Sequence, residues 1–97
     1  MIALDTLGQE KRAEILRLAE THGARNIRVF GSVATGSNRP ESDIDFLVDL
    51  EPGRTLFDLA GLLGDLRDLL GTEVDVLESR SIHPYIRERI LNEAVCL

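Results

Sequence analysis

The 97-residue chain predicts a small α/β (α+β) fold: a mixed sheet of three strands, extensible to four, with helices packed on one of its faces. Three observations predict it. Short β-rich runs stand at residues 26–30 (NIRVF), 43–50 (DIDFLVDL) and 73–78 (EVDVLE). Apolar residues recur at helical spacing between and around them. The length suits one domain, residues 1–97, with a single core.

The first helix is expected over residues 10–20, EKRAEILRLAE. Ala13, Ile15, Leu16, Leu18 and Ala19 line one side and charges the other, with Thr6 placed to cap the start and Gly23 to close it. His22 precedes that glycine and reads as part of the helix end, since neither it nor His83 has a second ligand at helical spacing. NIRVF then stops at Gly31, and DIDFLVDL is ended by Glu51-Pro52-Gly53. Within residues 54–71, Leu56, Leu59, Leu62, Leu63, Leu66, Leu69 and Leu70 form a broad apolar stripe, with Thr55 as cap and Gly71 as stop. EVDVLE is the third strand. Pro84 suits the first turn of a last helix whose apolar side carries Ile86, Ile90 and Leu91.

Composition narrows the function. The net charge is −6, Lys11 is the sole lysine, and the ten arginines are scattered. A grip on polynucleotide phosphates needs a basic stripe, so nucleic-acid binding is disfavoured, while one nucleotide with metal ions remains compatible. No apolar run approaches bilayer length, and Met-Ile-Ala-Leu-Asp lacks the basic start of a signal peptide. A cytoplasmic protein without membrane contact is expected. Cys96 is the only cysteine, which excludes an intramolecular disulfide and a cysteine zinc cluster; it is expected to be a small semi-buried residue.

The second strand carries an unusual burden, because aspartate is depleted in strands. Strand side chains alternate, so Ile44, Phe46, Val48 and Leu50 point into the helices, while Asp43, Asp45, Leu47 and Asp49 point the other way. In the third strand Val74 and Val76 face the core, and Glu73, Asp75 and Leu77 face out. Asp43, Asp45 and Asp75 are therefore expected to meet on an open sheet face, with Asp49, Glu51 and Glu73 as ordinary solvated acids. Three close carboxylates repel, and a divalent cation relieves the conflict. Oxygen-only donors favour Mg²⁺ or Mn²⁺, and paired aspartates can bridge two ions in phosphoryl displacement.

Gly31-Ser32, directly after NIRVF, supplies the complementary half. Glycine lets a phosphate approach the backbone, a helix starting nearby would offer free N–H groups, and Ser32 adds a hydroxyl donor. Gly-Ser alone is also an ordinary turn. Gly31-Ser32, ten residues, then Asp43-x-Asp45 is a sharper pattern. At average residue usage it arises by chance in about one chain of this size in a thousand.

This run, GSVATGSNRPESDIDFLVDL, together with EVDVLE and the final helix, resembles the minimal nucleotidyltransferases, the smallest members of the DNA polymerase beta-like superfamily. The resemblance implies that Gly31 and Ser32 hold the triphosphate of ATP, that Asp43 and Asp45 bind Mg²⁺, and that Asp75 completes the acidic triad. One departure stands out: many relatives carry a basic residue where this chain has Thr35, so Arg39 or Arg28 would have to replace it.

Small members of this family resemble the antitoxin half of a pair with a HEPN-domain ribonuclease. The resemblance therefore implies a protein adenylyltransferase that moves AMP from ATP onto a tyrosine of a HEPN toxin partner. The alternative is an antitoxin that neutralises by binding alone. Retention of all three acids favours catalysis. Nucleotidyl transfer to a small molecule ranks third, because larger relatives seat such acceptors on a second domain that this chain lacks room for.

Overall fold

The computed structural model describes residues 3–37, 39 and 43–97. Parts of the signature run, residues 38 and 40–42, lie outside the described residues. The elements in order are α1 (Leu4–Gln9), α2 (Arg12–Thr21), β1 (Ala24–Phe30), α3 (Gly31–Thr35), β2 (Ile44–Leu50), α4 (Leu56–Leu70), β3 (Val74–Glu78), a 3₁₀ turn (Ser79–Ser81), α5 (Pro84–Glu93) and β4 (Val95–Cys96). The strands form one mixed sheet in the order β3-β2-β1-β4. β1 pairs antiparallel with β2 and β4, while β2 and β3 run parallel.

Alternation along the strands builds the core. Val29, Ile44, Phe46, Val48, Val74 and Val76 are buried beneath Leu7, Ile15, Ala19, Leu62, Leu66 and Leu70 of the helices. The α4 stripe is narrower than its leucines suggest: Leu59, Leu63 and Leu69 are partly buried, and Leu56 is 76% exposed. Leu56 is the first residue of the helix. Thr55 does cap α4, in a reciprocal capping box. The Phe57 N–H donates to Thr55 Oγ1 (3.2 Å), and the Thr55 N–H donates to the Asp58 carboxylate (2.9 Å).

The amino-terminal expectation needs correction. Thr6 lies inside the separate short helix α1, and its carbonyl accepts from the Glu10 and Lys11 N–H groups, so it closes one helix instead of capping the next. His22 ends α2 through its backbone, as expected. Its ring does something else: Nε2 lies 2.6 Å from Asp65 Oδ2, tying α2 to α4. A Cβ on Gly61 would come within 2.7 Å of that ring, which explains a glycine in mid-helix.

The far side of the sheet is less open than alternation implies. Leu47 shares its face with Asp45 yet is fully buried, outside the main core cluster. The chain leaves β3 at one edge and returns as the parallel strand β4 at the other. α5 lies on that return path. There α5 touches α3 and β1 but buries none of its own side chains, and Ile86 and Leu91, expected to pack, stay exposed. β4 is the fourth strand, and it leaves Cys96 exposed instead of semi-buried.

If burial sets the importance of each α4 leucine, Leu66→Ala should cost about 2–5 kcal/mol through lost transfer energy and a residual cavity. Leu56→Ala should stay within about 0.5 kcal/mol of the parent chain. Urea unfolding of the two variants checks this; equal costs would contradict the placement of α4.

Candidate active site

The strand register assembles the site. Phe30, the last residue of β1, pairs with Asp45 of β2, which pairs in turn with Asp75 of β3. Asp43 stands two residues before Asp45, just ahead of the strand. Gly31 follows Phe30 at the start of α3 with φ +72°, a conformation that costs other residues about 1–2 kcal/mol. A Cβ at position 31 would overlap the Asp45 carboxylate at Oδ2. The Gly-Ser and Asp-x-Asp halves of the signature are thus in contact, and the glycine makes room for an acid as well as for any phosphate.

Electrostatics confirm that the acids crowd one another. Partial burial, the charge of Asp75 and the charge of Asp43, in that order, push the pKa of Asp45 from 3.8 up to about 6. Asp43 and Asp75 are exposed, and Asp45 is partly so. Among the described residues, no three His, Cys, Asp or Glu side chains stand close enough to hold a metal ion as they are. The donor set nevertheless fits Mg²⁺ or Mn²⁺: every donor is oxygen, and a cation would offset the burial and repulsion that together lift Asp45.

Ser32 is half-buried in the first turn of α3. Thr35 turns its hydroxyl back onto its own helix, donating to the carbonyls of Gly31 (3.2 Å) and Ser32 (3.4 Å). It therefore caps α3 and is no stand-in for a basic side chain. Arg28 is no substitute either, because its Nη2 donates to Asp49 at 3.1 Å. Arg39 is exposed.

Asp49 departs from its expected place as a solvated acid. It accepts hydrogen bonds from Arg28, from Asn26 Nδ2 (2.9 Å) and from the Ser79 hydroxyl. Burial works to raise its pKa, but the bonds from Ser79, Asn26 and Arg28 and the Arg28 charge outweigh it and hold the carboxyl below its ordinary value. Asn26 reaches Asp49 from a bulge in β1, where its φ is +52° and the pairing with β2 skips a residue. One sequence signal pointed here: Asp49 follows Asp45 by the same four residues that separate Ser79 from Asp75.

A sequence model of the nucleotidyltransferase domain matches residues 11–97. The chain belongs to that family. It is 44% identical over 86 residues to MJ0435 of Methanocaldococcus jannaschii, covering 89% of this chain and 92% of the relative. It is 35% identical over 95 residues to "Protein adenylyltransferase MntA" of Thermococcus cleftensis, covering 98% and 96%. A solved structure described as a minimal nucleotidyltransferase superposes with a TM-score of 0.88 at 47% identity, covering 99% of this chain and 97% of that one. The crystal structure of the MntA–HepT toxin–antitoxin superposes at 0.69 and 20% identity, over 91% and 69% of the chains, and is a likeness of fold. The family resemblance read from residues 31–50 and 73–78 is borne out.

Folding lifts the pKa of Asp45, so the folded chain holds that proton more tightly than the unfolded chain does. The folded state is therefore penalised progressively as pH rises from about 4 through about 6, and remains so above. In chelator-treated buffer at pH 7.5, Asp45→Asn should be more stable than the parent by on the order of 1 kcal/mol, allowing for solvent screening. Near pH 4 the difference should vanish. Urea unfolding at both pH values reads it; a variant less stable at pH 7.5 would make Asp45 a structural anchor.

Proposed function

We propose that this chain is a Mg²⁺-dependent protein adenylyltransferase that moves AMP from ATP onto a tyrosine hydroxyl of a HEPN ribonuclease toxin, and so acts as its antitoxin. The observation that carries the reading is the row Gly31–Asp45–Asp75, with Asp43 beside it, at one end of the sheet. The name of the Thermococcus relative and the MntA–HepT complex support the acceptor and partner. The acidic charge disfavours a nucleic-acid acceptor and suits a basic ribonuclease surface.

In this reading Gly31 and Ser32 hold the triphosphate, with the Gly31 backbone close to phosphate and the Ser32 hydroxyl donating to it. Asp43, Asp45 and Asp75 would hold Mg²⁺, which when bound offsets charge on the triphosphate and the departing pyrophosphate. The tyrosine oxygen forms a bond to the α-phosphorus as the bond to pyrophosphate breaks. Asp75, exposed at the edge of the row, takes the hydroxyl proton.

Incubation of the chain with ATP, Mg²⁺ and its HEPN partner should make the partner heavier by whole AMP units on intact-mass analysis. Wild type should silence the ribonuclease at substoichiometric ratios, because one enzyme modifies many partners. The Asp43→Asn, Asp45→Asn double variant should still bind the partner yet leave its mass and activity unchanged at those ratios. Equal neutralisation by both proteins, needing one copy per toxin, would establish masking and overturn the enzymatic reading.

A further inference from the structure

β3 is an edge strand of five residues, and among the described residues β2 is its one neighbour in the sheet. Its position along β2 decides whether Asp75 lies beside Asp45. The parallel register runs Asp45 with Asp75, Leu47 with Leu77, and Val48 with Glu78. One step further the backbone turns away into the 3₁₀ segment, and a side-chain bond takes over: the Ser79 hydroxyl donates to the Asp49 carboxylate. That bond lies four residues along both strands from the acid pair.

The acceptor is itself held from the other side. Arg28 and Asn26, both on β1, donate to Asp49, so one carboxylate ties β1, β2 and the end of β3 together. The Arg28 side chain is only 15% exposed, and its Nε is buried without a hydrogen-bond partner among the described residues. Such a buried cation needs its carboxylate. Glu78 offers a contrast within the same turn. Its carboxylate accepts from the Arg80 N–H (2.7 Å) and the Ser81 N–H (3.1 Å), bonds that organise the turn without reaching β2.

We propose that the Asp49–Ser79 bond is a register lock that keeps Asp75 beside Asp45, which makes Asp49 and Ser79 positioning residues for the carboxylate site. A slip of one residue would turn Asp75 to the core face, and a smaller drift would carry its carboxylate away from that of Asp45. The proposal rests on reading Asp43, Asp45 and Asp75 as a cation site.

The test titrates Mn²⁺ into the full chain without nucleotide, followed by the loss of free-ion electron paramagnetic resonance signal. Hydrogen exchange of the amides of residues 74–78 is measured in parallel. Ser79→Ala should weaken Mn²⁺ binding by about tenfold, as loss of outer-shell support does, and Ser79→Thr, which keeps the hydroxyl, should restore it. Ser79→Ala should also speed exchange in β3. Glu78→Gln should lower the melting temperature at least as much while leaving Mn²⁺ affinity and β3 exchange at parent values. Parent-like Mn²⁺ affinity and exchange in Ser79→Ala would overturn the lock. A parent chain that binds no Mn²⁺ would overturn the cation site instead, and the exchange comparison would still decide whether Ser79 holds β3 in register.

Discussion

Asp45 can stand where it does because residue 31 has no Cβ. The carboxylate lies against the Gly31 backbone, on the row that joins the end of β1 to the start of β3. Everything at this end of the sheet follows from that approach. The left-handed φ of Gly31 turns the chain from β1 into α3 directly over the acid. Partial burial, with Asp75 and Asp43 nearby, makes the ionised form of Asp45 unfavourable. A divalent cation would relieve that conflict, which is why the proposed function places one here.

The opposite end of the acidic face is built on the reverse principle. Asp49 lies on the same strand as Asp45 but is fully engaged by Ser79, Asn26 and Arg28, and its charge is stabilised. One strand thus presents a frustrated carboxylate and a satisfied one, four residues apart. Stability is spent at the Asp45 end and recovered at the Asp49 end, the arrangement expected when a reactive site is mounted on a rigid support.

Much of this was legible in the sequence. Period-two alternation placed Ile44, Phe46 and Val48 in the core and Asp45 and Asp75 on the other face, because strand geometry leaves little choice. The Gly31 to Asp45 spacing was legible because Gly-Ser and Asp-x-Asp at that separation form a pattern that chance rarely supplies. What failed was whatever depends on where elements end and which side chains a neighbour covers. Leu56 belongs to a helical stripe but stands at the exposed start of its helix. Leu47 alternates outward but is buried, and two residues of β4 are too few to carry a strand pattern. The Asp49 network was hidden because its donors come from a bulge in β1 and from the turn after β3, neither of which periodicity reveals.

The most direct test of the central contact is a double-mutant cycle between Gly31→Ala and Asp45→Ala, read by urea unfolding in metal-free buffer. In the parent background Gly31→Ala should cost more than about 2 kcal/mol, the sum of the left-handed backbone and the overlap with the carboxylate. In the Asp45→Ala background the overlap is gone, and the cost should fall to the backbone contribution of about 1–2 kcal/mol. A cost of Gly31→Ala that is the same in both backgrounds would mean that glycine and aspartate are independent, and would contradict the account of this site.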